Sequence, residues 1–279
     1  MTRAANADVS RPITTPRNAR VTAARRLARR ALRQADQRFL VEGPQGVAEA
    51  LAEPTGLLEL FVTPEAAEHH AGLVAAASAR AVPVHVVSGA VMGSLTQTVT
   101  PQGVVGVAAF RDVSLDDVVA LRPRLVVVLA AVRDPGNAGT ILRAADAAGA
   151  EAVVFTDASV DPYNAKCARG SAGSIFHVPF TVATPVATAV TALRAAGLQV
   201  LATDAAAPRS LDEVDLGRPT AWLFGNEAWG LPAEVATLAD ERVRIPIHGR
   251  AESLNLAAAA AVCLYASAQG QRQSGGCRT

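Results

Sequence analysis

Hydrophobic positions in the second half of this chain fall into short, nearly unbroken blocks: Leu125 to Val132, Ala152 to Thr156, Val178 to Val182, Gln199 to Thr203, AWLF ending at Phe224, and Val243 to Ile247. Strands that are apolar on both faces predict a parallel sheet covered by helices on either side. The connecting stretches change to a helical period near Ala138 to Gly149, Asn164 to Gly173 and Pro185 to Ala196. An Ala-rich run from Leu256 to Tyr265 predicts a buried helix.

The same alternation recurs on a smaller scale between Arg38 and Phe110, in strands such as FLVEG, LLELFVT, VPVHVVS and GVVGVAAF with helical PQGVAEALAE and PEAAEHHAGLVAAASARA between them. That is a small α/β domain. Upstream, Val21, Ala24, Leu27, Ala28, Ala31 and Leu32 mark one basic amphipathic helix whose remaining surface carries Arg25, Arg26, Arg29, Arg30 and Arg33. The expected division is a disordered tail at 1–16, the basic helix and small domain at 17–111, a linker at 112–124, the parallel-sheet domain at 125–270 and a flexible tail at 271–279.

Charge sharpens this division. The formal net charge is only +1, yet the first 38 residues hold ten Arg against Asp8 and Asp36, a net of +8, which leaves −7 for the rest. A basic arm on a mildly acidic body points to a polyanionic partner engaged locally. Half the residues are hydrophobic, enough for a substantial core, but no apolar run approaches the roughly 20 residues of a membrane span. The N-terminus lacks the apolar segment of a secretory signal, so a cytoplasmic location without membrane attachment is expected. Cys167, Cys263 and Cys277 form no CxxC pair and the five His are scattered, so neither a disulfide framework nor a metal site is expected.

Candidate chemistry gathers at three strand ends. The first block runs into RDPGNAGTILRAAD, where Asn137 is placed to cap the following helix and Arg143 lies six residues on. The block ending at Phe224 opens into the Gly-bracketed turn Gly225-Asn226-Glu227-Ala228-Trp229-Gly230, with Pro232 positioned to start a helix. The polar loop HGRAESLN puts Glu252, Ser253 and Asn255 just ahead of Leu256, and Ser253 is also placed to act as a helix cap. Polar side chains beside sharply turning backbone at strand ends suit a small-molecule pocket. GNEAWG is not G-x-G-x-x-G, which argues against a nicotinamide enzyme.

NAGTILRAADAAGA, LFGNEAWGL and IPIHGRAESLNLAAAAAVCLYA resemble, in order and spacing, the three motifs of the SpoU (TrmH) family of RNA 2′-O-ribose methyltransferases. KCARGSAGSIFHVPF resembles the family's intervening helix, and QRFLVEGPQGVAEAL the start of the substrate-binding domain of its ribosomal RNA members. The resemblance implies a SPOUT fold: a small L30e-like α/β domain followed by a parallel-sheet α/β domain with a deep C-terminal trefoil knot. It implies S-adenosyl-L-methionine held in that knot largely by backbone groups at Gly225, Ile245 and Leu254, flanked by Leu223, Phe224 and Gly230. By the same resemblance Asn137 is the motif-one Asn, Arg143 the catalytic Arg, Glu227 the motif-two acid, and Ser253 and Asn255 the motif-three polar pair. A homodimer is implied, with Arg143 of one protomer able to serve the cofactor of the other.

The implied reaction is attack of a ribose 2′-hydroxyl on a sulfonium methyl. A guanidinium stays charged wherever proteins work, so the role expected of Arg143 is to hold a phosphate and stabilise developing alkoxide, with a transient part in proton removal left open. A carboxylate is too weak a base for a sugar hydroxyl, so Glu227 is expected to orient Arg143 or Asn137. RNA contact is expected from Arg25, Arg26, Arg29, Arg30, Arg33 and Arg169. Large-subunit (23S) ribosomal RNA is the expected substrate; transfer RNA, or a non-catalytic RNA-binding protein of the same fold, are the alternatives.

Overall fold

The computed structural model describes residues 12–275, so residues 1–11 of the expected N-terminal tail, and Cys277, lie outside the described residues. The chain divides into two compact units. Unit 1 takes the chain up to Phe110 together with Tyr163–Phe176, and unit 2 takes Arg111–Pro162 together with His177 onward.

Unit 1 begins with α1 (Ala19–Arg26) and α2 (Arg30–Asp36), then runs β1 (Arg38–Glu42), α3 (Pro44–Ala52), β2 (Leu57–Val62), α4 (Pro64–His69), α5 (Ala71–Ala79), β3 (Val84–Val86), α6 (Gly89–Leu95) and β4 (Val104–Ala109). Its sheet has the order β1-β4-β2-β3, with β4 antiparallel to both neighbours and β3 parallel to β2. Val21, Ala24 and Leu27 of the first helix bury themselves with Leu40, Phe61, Met92 and Val105. The predicted apolar stripe is therefore present, but the single basic helix is two. Arg29 is extended (φ −95°, ψ 127°) and breaks the run. Arg33 then turns inward and its Nη1 donates to the carbonyls of Leu27 (2.9 Å) and Ala28 (3.0 Å), groups left open where α1 ends. At 4 % exposure Arg33 cannot present its guanidinium to RNA, which corrects its assignment as a contact residue.

Unit 2 opens with α7 (Leu115–Ala120), inside the stretch expected to be a linker. Ser114 and Asp117 form a reciprocal capping box, and Val118 is fully buried in the core of the unit. There follow β5 (Leu125–Leu129), α8 (Pro135–Ala148), β6 (Ala152–Thr156), α9 (Ala165–Gly170, in unit 1), β7 (Phe180–Thr184), α10 (Val186–Ala195), β8 (Gln199–Thr203), β9 (Arg209–Ser210), β10 (Thr220–Phe224), α11 (Ala233–Ala236), β11 (Glu241–Arg244) and α12 (Leu256–Gly275). All seven strands are parallel, in the order β7-β6-β5-β10-β8-β11-β9. Alternate residues serve opposite faces, as strand geometry requires. Val126, Val128, Ala221 and Leu223 join Val118, Ala189 and Leu193 in one core. On β10, the intervening Trp222 donates its indole N–H to Ser267 of α12 at 2.8 Å.

Two further expectations change. Tyr163–Phe176, expected within the parallel-sheet domain, belongs to unit 1, where Tyr163 stacks on Phe110 at 3.7 Å and contacts Phe39 at 4.8 Å. The last helix is neither wholly buried nor finished at 270. It continues to Gly275 and exposes Val262 (41 %) and Tyr265 (53 %) along one stripe. No helix among the described residues is long and apolar enough to cross a membrane.

Candidate active site

Three loops meet beyond the C-terminal ends of β5 and β10, neighbouring strands in the middle of the unit 2 sheet. This is where open parallel sheets place ligands. In the first loop Ala131 takes a positive φ of 58°, and Asp134 caps α8 by accepting from Asn137 N at 2.8 Å. Asn137 was expected to be the cap. The Asp-Pro-Gly run was the available signal, since an Asp immediately before a Pro at the first helical position is a helix start in its own right.

The second loop folds tightly. Asn226 and Gly230 exchange backbone hydrogen bonds of 2.8 and 2.9 Å, and a Cβ on Gly225 would lie 2.4 Å from the carbonyl carbon of Gly230. Only glycine fits that approach. Asn226, 6 % exposed, donates from Nδ2 to the Ala131 carbonyl at 2.9 Å, tying this loop to the first. Arg133 lies over the Trp229 ring, 5.2 Å from its centroid.

Relieved of capping, the Asn137 side chain joins all three loops. Its Nδ2 donates to Glu227 Oε1 at 3.2 Å, and its Oδ1 accepts from Asn255 Nδ2 at 3.1 Å. Glu227 also accepts from the backbone N–H groups of Asp134 (3.2 Å) and Arg133 (3.4 Å). Asn255 uses its own Oδ1 to accept from Ala257 N at 2.9 Å, so it, rather than Ser253, caps α12. Glu227 thus orients Asn137, the second of its two expected partners, and both its oxygens accept from N–H donors.

Arg143 and Ser253 behave differently. Both are exposed, and neither side chain makes a hydrogen bond or ion pair with a described residue. Asp146, the acid three residues beyond Arg143, is engaged by His177 at 2.7 Å. Six helical residues separate Arg143 from Asn137, about 9 Å along the axis and about 120° around it, so the two side chains leave different faces of α8.

The expected cofactor residues divide in two. Leu223 and Phe224 are fully buried in the sheet, so what they offer at the end of β10 is main chain. Gly230 and Leu254 are exposed, Ile245 half-buried and Gly225 buried, around the main chain that leaves β10 and β11. Exposed apolar side chains beside main-chain polar groups fit a cofactor with an aromatic base and an amino-acid tail. Among the described residues no group of three His, Cys, Asp or Glu could hold a metal ion.

Residues 124–265 match the SpoU rRNA Methylase family, and residues 18–106 an MRM3-like substrate binding domain. The chain is 34 % identical over 227 residues, 81 % of its own length and 87 % of the relative's, to the 23S rRNA (guanosine(2553)-2′-O)-methyltransferase RlmP of Bacillus subtilis (strain 168). The chain belongs to the SpoU rRNA methylase family. Among solved structures, an AdoMet-bound rRNA methyltransferase from Sinorhizobium meliloti aligns with TM-score 0.82 and 34 % identity, covering 93 % of this chain and 97 % of that one. The SpoU methyltransferase AviRb from Streptomyces viridochromogenes in complex with AdoMet aligns with TM-score 0.79 and 30 % identity, over 92 % of this chain and 100 % of that one.

Elsewhere on this SpoU chain, Arg25, Arg26, Arg29 and Arg30 are exposed on α1, α2 and the turn between them. Arg169 is held at 2.9 Å by Glu42, whose side chain is 5 % exposed. On α12, burial pushes the Cys263 thiol far above its ordinary range, so it is a packing residue and not a nucleophile.

Proposed function

We propose that the protein is an S-adenosylmethionine-dependent methyltransferase that modifies a ribose 2′-hydroxyl in large-subunit ribosomal RNA. The observation that carries this is the hydrogen-bonded join of Glu227, Asn137 and Asn255, which ties three separate sequence motifs into one site on a family-typical sheet. When bound, S-adenosylmethionine supplies a sulfonium methyl, electrophilic without further activation. Gly225, Ile245 and Leu254 would hold it through main chain and apolar surface, the chain from β11 to α12 being threaded as a trefoil knot.

The protein's own task is alignment, because in-line transfer needs oxygen, carbon and sulfur collinear, and positioning alone supplies several kcal/mol. The Glu227–Asn137–Asn255 set fixes the loops. Ser253 and the free face of Asn255 position the ribose. Arg143 holds the adjacent phosphate and stabilises charge developing on the 2′-oxygen, the role its permanent charge suits, with a transient part in removing the hydroxyl proton left open. Exposure of Val262 and Tyr265 on α12, the helix packed against α8, supports a homodimer in which Arg143 reaches the partner's site.

Transfer of labelled methyl to deproteinised 23S RNA, small-subunit RNA and bulk transfer RNA tests the reading, with Arg143→Ala as the paired control. Label in 23S RNA that disappears in the variant is the expected result. Label confined to transfer RNA would overturn the substrate, and no label in any pool would overturn the activity.

A further inference from the structure

Unit 1 contains a cleft of about 240 Å³ whose walls include none of the methyl-transfer residues. That is smaller than the roughly 300 Å³ at which pockets for drug-sized ligands begin, and suits one flat ring system. Its floor is apolar and buried: Val104, Ile175 and Phe176 are each no more than 2 % exposed.

The rim is of another kind. Gln45, Thr98, Thr100 and Gln102 line it, and none of their side chains has a hydrogen-bond partner among the described residues. The Gln102 amide lies across the mouth, since a Cβ on Gly43 (φ +92°) would fall 2.8 Å from its Oε1. Two amides and two hydroxyls therefore offer donors and acceptors over an apolar floor. The charges in the cleft cancel: Arg169 pairs with Glu42 at 2.9 Å, and the other Glu42 oxygen accepts from Gln97 N at 2.9 Å. No cation is left over for a phosphate, so the chemistry favours a neutral, planar ligand with polar edges.

We infer that this cleft receives one unpaired nucleobase of the RNA substrate, read at its edge by Gln102, Gln45 and the two threonines. Sequence-specific recognition of RNA works chiefly on unstacked bases presented in this way. The cleft lies largely within residues 18–106, matched to a substrate-binding domain. The inference rests on the RNA methyltransferase reading for its ligand class. It assigns Arg169 a new part: together with Glu42 it forms a neutral wall and does not make a free phosphate contact.

The test is chemical probing of unpaired bases in 23S RNA bound to full-length protein, comparing wild type with the double variant Thr98→Ala/Gln102→Ala. Gln102 is exposed and Thr98 half-buried, and neither side chain bonds another described residue, so the fold should not depend on them. The expected result is one protected base that becomes reactive in the variant, with RNA affinity lower by roughly tenfold, as loss of two hydrogen bonds predicts. Cofactor affinity should be unchanged. An unaltered protection pattern and unaltered RNA affinity would overturn the inference while leaving methyl transfer intact. Should wild type fail to methylate any RNA, the activity reading falls, and the probing still decides the cleft by whether a base freed in the variant exists.

Discussion

The loop cluster of unit 2 and the arginine-bearing helices of unit 1 use polar groups in opposite ways. In the cluster, Glu227, Asn137, Asn255 and Asn226 bind one another and the nearby backbone, so the loops are fixed before any ligand arrives. On α1 and α2, Arg25, Arg26, Arg29 and Arg30 stay in solvent, and only Arg33 turns inward to hold the helices together. Chemistry that depends on collinear atoms calls for the first arrangement. Attraction to a phosphate backbone calls for the second, because it acts through charge and counterion release more than through fixed geometry. Arg143 stands apart: a residue of the cluster by motif, it has the free guanidinium of the helices.

The comparison breaks most readily at Arg143. Arg143→Ala should lower the methyl-transfer rate by about 10²–10³-fold, the usual effect of removing a charge-stabilising donor, with the melting temperature unchanged because the side chain has no partner among the described residues. A fall in melting temperature would place Arg143 with the structural set instead. Next in size is replacement of Arg25, Arg26, Arg29 and Arg30 by Ala together. RNA affinity should drop by about 10–100-fold and its salt dependence flatten, while cofactor affinity stays put. An unchanged salt slope would remove these residues from the interface.

Glu227→Ala attacks the fixed loops. It strands the N–H groups of Arg133 and Asp134 and the Asn137 amide, so both rate and stability should fall, the latter by about 1–2 kcal/mol. Glu227→Gln, which keeps an acceptor oxygen, should recover much of the stability; full activity in the alanine variant would sink the claim that this network aligns the site. Arg33→Ala should cost a similar 1–2 kcal/mol by unfolding in urea, with the salt dependence of RNA binding unaltered.

How much of this was legible in the sequence depends on the range of the interaction. The unbroken apolar blocks read directly as parallel strands, because burial on both faces leaves a local signature. The motifs located Asn137, Glu227 and Asn255 but not how they connect, since residues 90 and 118 positions apart meet only after folding. Capping misled at α8, where Asp134 does what Asn137 was expected to do, a choice that depends on a start that periodicity fixes only to within a residue or two. Arg33 looked like its four neighbours because nothing local distinguishes an arginine that folds back on a helix end. Tyr163–Phe176 could not be assigned to unit 1 from pattern, because the aromatic contacts to Phe39 and Phe110 that hold it there are remote in the chain.

The smallest predicted effect lies at the foot of the arginine-bearing surface, at half-buried Glu59. Its carboxyl is held below its ordinary value near 4.5, first by the hydrogen bond with His85 and then by the charges of His85, Arg20 and Arg38, against the opposing effect of burial. His85 Nε2 lies 3.2 Å and Arg20 Nη1 3.7 Å from the same oxygen. A carboxylate with a depressed folded-state value stabilises the fold above its unfolded value and loses that contribution as pH falls through the folded one. Stability of wild type should therefore exceed that of Glu59→Gln at neutral pH by a small margin, given the solvent screening of the site. The two should converge as pH drops below about 4.5, measured by urea unfolding across the acid range. A gap that persists into strong acid would mean that packing, and not charge, ties Glu59 to His85.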